Sequence, residues 1–170
     1  VMIARGDMAY EVAPEVVPIV QRKTVALCRK HGKISIVATQ TMGSMVDNPQ
    51  PSRAEVSDVA NAVIQGSDVV MLSDESATGK YPEETVKAMR DVIRYTQEHA
   101  AVAPIDNIVE RGDNEALNAI SLSAVELAEQ IDADAIVVET KSGQTAATVA
   151  ANRPSLPIVS VTSDERVAHQ

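Results

Sequence analysis

The chain has 170 residues, a formal charge of −9 and 45% apolar residues, yet its aromatic residues are three Tyr with no Phe or Trp. Its core has to be built from Val, Ile, Ala, Leu and Met, a palette that suits parallel strands and the helices covering them. The acidic balance argues against nucleic acid or an anionic membrane as partner, since both select clustered Lys and Arg. No apolar run reaches the length of a membrane span, and Cys28 alone allows no intrachain disulfide, so the cytoplasm is the expected compartment.

Val1–Ala4 reads as the middle of a buried strand, without initiator Met, cap or polar lead-in, which points to a piece of a longer protein. After Arg5–Gly6–Asp7, residues 15–31 read as a helix closed by Gly32 in the left-handed position that commonly ends one. A strand follows over Ile34–Thr39. In NPQPSRAEVSDVANA, Asn48–Ala62, two prolines stiffen the approach and Ser52 with Glu55 forms a Ser-x-x-Glu capping box. Val56, Val59, Ala60 and Val63 then fall at i, i+3, i+4 and i+7, one apolar stripe for packing.

Asp68–Ser73 is a third strand, and Tyr81–Pro82 opens a helix running to about His99. Periodicity disappears over Ala100–Asp113, a plausible linker. The alternation resumes with a helix over 114–130 capped by Asp113, a strand Ala135–Glu139, a turn Thr140–Gly143, a helix to about Asn152 and a strand Ile158–Thr162. Ser163 is placed to cap one more helix.

Alternating strands and helices imply an α/β fold with a mainly parallel sheet, whose chemistry gathers at the carboxyl ends of the strands. Asp7, directly after Gly6, offers a hard oxygen to Mg²⁺, or caps the next turn. Thr39 carries a hydroxyl able to donate to a carboxylate or relay a proton, or serves as an ordinary β-branched strand residue. At Ser73–Ser76, capping is the favoured use of Asp74 and Glu75. Thr140, Lys141, Ser142, Gly143, Gln144 and Thr145 bring hydroxyls, a cation and a glycine to a helix start, as an anion cradle for a small phosphate ester or an ordinary turn. His31 and His99 lack metal-ligand spacing, and Cys28 reads as a buried thiol.

Together MIARGD (Met2–Asp7), VATQ (Val37–Gln40), NPQPSRAEVSDVANA, MLSDES (Met71–Ser76) and GKYP (Gly79–Pro82) resemble pyruvate kinase in their order along the chain. The resemblance implies a partial (β/α)₈ TIM barrel, strands 6–8, over residues 1–100. A linker over 101–112 and the first part of an α/β C-terminal domain over 113–170 would follow. It implies phosphoryl transfer from phosphoenolpyruvate to ADP, giving pyruvate and ATP, the final step of glycolysis, with Mg²⁺ and K⁺ and with the K⁺ ligands outside this chain. Asp7 would bind Mg²⁺, the N–H groups of Gly6 and Asp7 would hold the substrate carboxylate, and Thr39 would bond the same substrate. Arg5 would orient the loop and a subunit interface. Thr140–Thr145 would meet a sugar-phosphate activator, and the intact enzyme would be a homotetramer.

The sequence departs from the family at Asp74, where Gly is usual, at Ser76, where Thr is usual, and at Thr41–Met42–Gly43. The piece is expected to be inactive alone. The alternatives are a non-catalytic sugar-phosphate-sensing module and a degenerate paralogue.

Overall fold

The computed structural model describes residues 1–101 and 115–169, which divide between two compact units, one with residues 1–28 and 33–101 and the other with 29–32 and 115–169. The linker expected over 101–112 lies outside the described residues except for Ala101, as do Asp113 and the first residue of the helix it was expected to cap. Both units are α/β with parallel sheets.

In the first unit, β1 (Met2–Ala4), β2 (Ile36–Ala38) and β3 (Val69–Val70) form a parallel sheet in chain order, with Ile3 beside Val37 and Val37 beside Val70. Helix α1 (Arg5–Glu11) starts directly from β1. After a 3₁₀ turn at Pro14–Val16 comes α2 (Val17–Lys30), followed by Gly32 at φ 58°, the left-handed stop expected there. Ile3, Val25, Val37 and Ala62 make one buried cluster, and Met42, Met45, Val59 and Met89 a second. Unbranched methionines fill the irregular gap that aromatics would otherwise occupy. The expectation that Val1–Ala4 is buried holds only for Ile3. Val1 and Met2 are 63% and 56% exposed, because β1 is paired only with β2 among the described residues.

Helix α3 (Arg53–Ile64) begins at the expected capping box: Ser52 Oγ accepts the Glu55 N–H at 3.3 Å and Glu55 Oε2 accepts the Ser52 N–H at 2.8 Å. Its buried line, however, is Val59 and Ala62; Val56, Ala60 and Val63 are only half-buried. Val59 belongs to the methionine cluster and Ala62 to the sheet cluster, so the helix seats between two surfaces and the small Ala lets it approach the strands. Strands β2 and β3 are shorter than expected. The first ends where Thr39 and Gln40 turn left-handed, and the second continues only through the Met71 N–H to the Val37 carbonyl. A single turn, α4 (Asp74–Ala77), leads to α5 (Pro82–His99), which starts at the expected Tyr-Pro step and packs on α3.

In the second unit, α6 (Glu115–Gln130) and α7 (Gln144–Ala151) cover the sheet of β4 (Ile136–Glu139) and β5 (Ile158–Val161). Ile136 and Val138 enter the core with Val125, Ala128 and Val149, while Val137 and Glu139, at alternate positions of the pleat, are exposed. The last turn, α8 (Glu165–Ala168), is capped by Asp164, which accepts the Arg166 N–H at 2.9 Å, in place of the expected Ser163.

Candidate functional site at the carboxyl ends of the first sheet

Parallel pairing of Ala4 with Ala38 brings the ends of β1 and β2 side by side, so Gly6 and Thr39 meet. The first turn of a helix leaves backbone N–H groups without intrahelical acceptors. At α1, the Gly6 N–H donates to Thr39 Oγ1 at 2.8 Å. A Cβ at position 6 would stand 3.4 Å from that oxygen, in van der Waals contact with it. Having accepted one bond, the Thr39 hydroxyl still has a proton to donate.

Thr39 and Gln40 have φ of 68° and 56°, left-handed values that cost a β-branched residue about 1–3 kcal/mol. Arg5 supplies the opposing interactions. Its Nη2 and Nε donate to the Thr39 carbonyl at 2.6 and 3.2 Å, and Nη1 pairs with Asp58 of α3 at 2.5 Å and contacts Gln21 Oε1 of α2 at 3.4 Å. Each charge-assisted bond is worth about 1.5–3 kcal/mol, enough to hold the strained turn. Arg5 is only 8% exposed, so its charge is directed to the scaffold and away from solvent.

Asp7 lies in the first turn of α1, exposed, with no hydrogen bond or ion pair among the described residues. An exposed carboxylate in the first helical turn after a strand suits one corner of a Mg²⁺ octahedron. No group of three or more His, Cys, Asp or Glu able to hold a metal occurs among the described residues.

Bonds that local reading did not foresee hold this edge together. Glu75 is 2% exposed; its Oε1 accepts the Met42 N–H at 3.1 Å and its Oε2 the Ser73 N–H at 2.7 Å. This agrees with a capping role for Glu75, whereas Asp74 is exposed and its side chain caps nothing among the described residues. Thr41 Oγ1 donates to the Met71 carbonyl at 2.9 Å, joining the β2 and β3 ends a second time. Glu55 also accepts the Ser44 N–H and hydroxyl, at 2.7 and 2.5 Å. Burial would raise the Glu55 pKa, but the bonds from Ser44 and Ser52 outweigh it and hold the carboxyl below its usual value. The spacing of polar residues around each position gives no signal for these long-range partners; only the Ser-x-x-Glu motif was readable.

In the second unit, Gly143 (φ 82°) stands at the cap of α7 and its N–H donates to Thr140 Oγ1 at 2.9 Å. Thr140 is buried and tied by its own N–H to the Val161 carbonyl. Lys141, Ser142 and Gln144 are exposed, and Gly143 and Thr145 half-buried. The turn is therefore a preformed loop with its cation and one hydroxyl facing outward. No described helix is long and apolar enough to cross a membrane.

The family described as Pyruvate kinase, barrel domain, matches residues 1–86, and that described as Pyruvate kinase, alpha/beta domain, matches residues 118–170. Among curated proteins, a pyruvate kinase of Staphylococcus epidermidis (strain RP62A) is 43% identical over 99% of this chain and 29% of its own length. A pyruvate kinase of Agrobacterium vitis is 43% identical over 100% of this chain and 36% of its own length, and one of Staphylococcus haemolyticus 44% identical over 99% and 29%. The chain thus spans about a third of the length of the curated relatives it matches.

Proposed function

The chain belongs to the pyruvate kinase family, and from that premise we propose that the protein containing it transfers a phosphoryl group from phosphoenolpyruvate to ADP, yielding pyruvate and ATP. The observation that carries the proposal is the juxtaposition of Gly6 and Thr39, joined by a 2.8 Å hydrogen bond at adjacent strand ends, with Asp7, which has no partner among the described residues, next in the chain. In this reading β1, β2 and β3 are strands 6, 7 and 8 of a (β/α)₈ barrel over residues 1–100. Residues 101–112 link it to part of a C-terminal domain, 113–170. Barrel strands carry chemistry at their carboxyl ends, where these residues stand.

Asp7 would hold Mg²⁺ as one of two carboxylates, the other coming from elsewhere in the intact protein, and the ion would supply charge stabilisation for the transfer. Of the two N–H groups expected to hold the substrate carboxylate, that of Gly6 is given to Thr39 Oγ1, which leaves the Asp7 N–H at the start of α1 to orient it. The Thr39 hydroxyl, fixed by the Gly6 N–H, directs its free proton toward the substrate, and Arg5 keeps the Thr39 turn in place. K⁺ is a further cofactor, held outside this chain. Thr140–Thr145 receives the phosphate of a sugar-phosphate activator, with Lys141 as its cation. The intact protein is a cytoplasmic homotetramer.

The test is pyruvate formation by the intact protein from phosphoenolpyruvate, ADP, Mg²⁺ and K⁺. Turnover lost on omitting Mg²⁺ is expected, and absence of turnover under all these conditions would refute the assignment.

A further inference from the structure

We propose that Glu75 is a positioning residue for the phosphoryl-transfer site, acting on Thr39 through the backbone; this rests on the function proposed above. Thr39 and Gln40 are consecutive left-handed non-glycine residues, a conformation that relaxes unless both ends of the turn are held. Arg5 holds the entry and the middle, with its Nε 3.4 Å from the Ala38 carbonyl and its Nη2 and Nε donating to the Thr39 carbonyl at 2.6 and 3.2 Å. The exit is the Thr41–Met42 step, and both residues are buried. There the Met42 N–H donates to Glu75 at 3.1 Å.

A carboxylate suits this place because it offers two acceptor oxygens and no donor. One oxygen takes the Met42 N–H, after β2, and the other the Ser73 N–H, after β3. Glu75 therefore staples two loops at the same edge of the sheet. It has no ion pair among the described residues, and the partners of its two oxygens are backbone N–H groups. The backbone that carries Glu75 is itself closely packed: a Cβ on Gly79 would meet the Glu75 carbonyl oxygen at 2.6 Å, and the Lys80 N–H bonds the Val46 carbonyl at 2.8 Å. Thr39 is thus framed by a cation at its entry and an anion at its exit, and only the cation contacts it directly.

The experiment compares the intact protein with Glu75→Gln and Glu75→Asp. Gln keeps the shape but replaces one acceptor oxygen by a donor NH₂, and Asp keeps the charge but falls short of one N–H. A displacement of about 1 Å at a reacting group lowers the rate by roughly a hundredfold, so kcat of Glu75→Gln should fall about 10–100-fold. KM for phosphoenolpyruvate should change by less than kcat does, because Thr39 is one of several groups that hold the substrate and its misplacement is felt most at the reacting atoms. Glu75→Asp should fall between the two, and it carries the kinetic test if the Gln variant does not fold. Equal kcat in the folded variants and the wild type, or a loss confined to KM, would overturn the proposal. Crystal structures decide the same point without any assay: Thr39 should leave its left-handed conformation in Glu75→Gln, and its retention there would overturn the role. If the wild type itself makes no pyruvate, the proposed function fails, and the conformation of Thr39 still decides what Glu75 does.

Discussion

Arg5 donates twice to the carbonyl of Thr39, at 2.6 and 3.2 Å, so the side chain that begins α1 fixes the backbone that ends β2. Lysine cannot reproduce this fork, nor hold Asp58 at the same time. Breaking a fully buried ion pair costs about 3–5 kcal/mol. Because Asp58 is partly exposed, Arg5→Lys is expected to lower stability by about 2–3 kcal/mol, read from the urea midpoint of the intact protein. A double-mutant cycle with Asp58→Asn should show a coupling above about 1 kcal/mol; additive single effects would separate the two residues.

The capping box predicts a dependence on acid. Folding holds the Glu55 carboxyl below its usual pKa of 4.5, so its contribution to stability is present above that value. It is lost as pH falls from about 4.5 through the lower folded value. The difference in unfolding free energy between wild type and Glu55→Gln should therefore shrink as pH drops below 4.5. A difference independent of pH would contradict this. Ser52→Ala, which removes one cap bond, should cost about 1 kcal/mol at neutral pH.

The orientation of α3 can be tested by truncation. Val59 is fully buried in the methionine cluster, whereas Val56 is half-buried. Val59→Ala is expected to cost about 2–3 kcal/mol and Val56→Ala about 1 kcal/mol or less, by chemical denaturation. Equal losses would favour a stripe centred between them.

Gly79 leaves no room for a methyl group. Its Cβ would lie 2.6 Å from the Glu75 carbonyl oxygen and 3.2 Å from Val46 Cα, both backbone atoms. Gly79→Ala should therefore destabilise the protein by about 1–3 kcal/mol, as overpacking does. A neutral or stabilising effect on the thermal midpoint would show that the α4 turn yields easily.

Local chemistry made much of this fold legible. Ser52 and Glu55 announced the start of α3, Tyr81–Pro82 that of α5, and Gly32 the stop after α2, because caps and breakers act over a few residues. Asp7, Gly6 and Thr39 were singled out by their place after apolar runs, and parallel pairing brings Gly6 and Thr39 into contact. What holds them was hidden. Asp58 lies 53 positions from Arg5 and Glu75 lies 33 from Met42, so neither pairing leaves a periodic trace. The left-handed Thr39 was equally unreadable, since no Gly or Asn marks the turn and its cost is met by distant side chains. The stripe on α3 was misplaced for a related reason: a helix seated between two surfaces does not centre on its largest residues.

The most direct test of the central claim is a Mg²⁺ titration of pyruvate formation by the intact protein, comparing wild type, Asp7→Asn and Thr140→Ala. Losing a ligand should weaken the metal at least as much as losing a ligand's own support, so Asp7→Asn should raise the Mg²⁺ needed for half-maximal rate by about tenfold or more. Thr140→Ala should leave that concentration unchanged. Identical Mg²⁺ dependence in wild type and Asp7→Asn would remove Asp7 from the metal site and contradict the account.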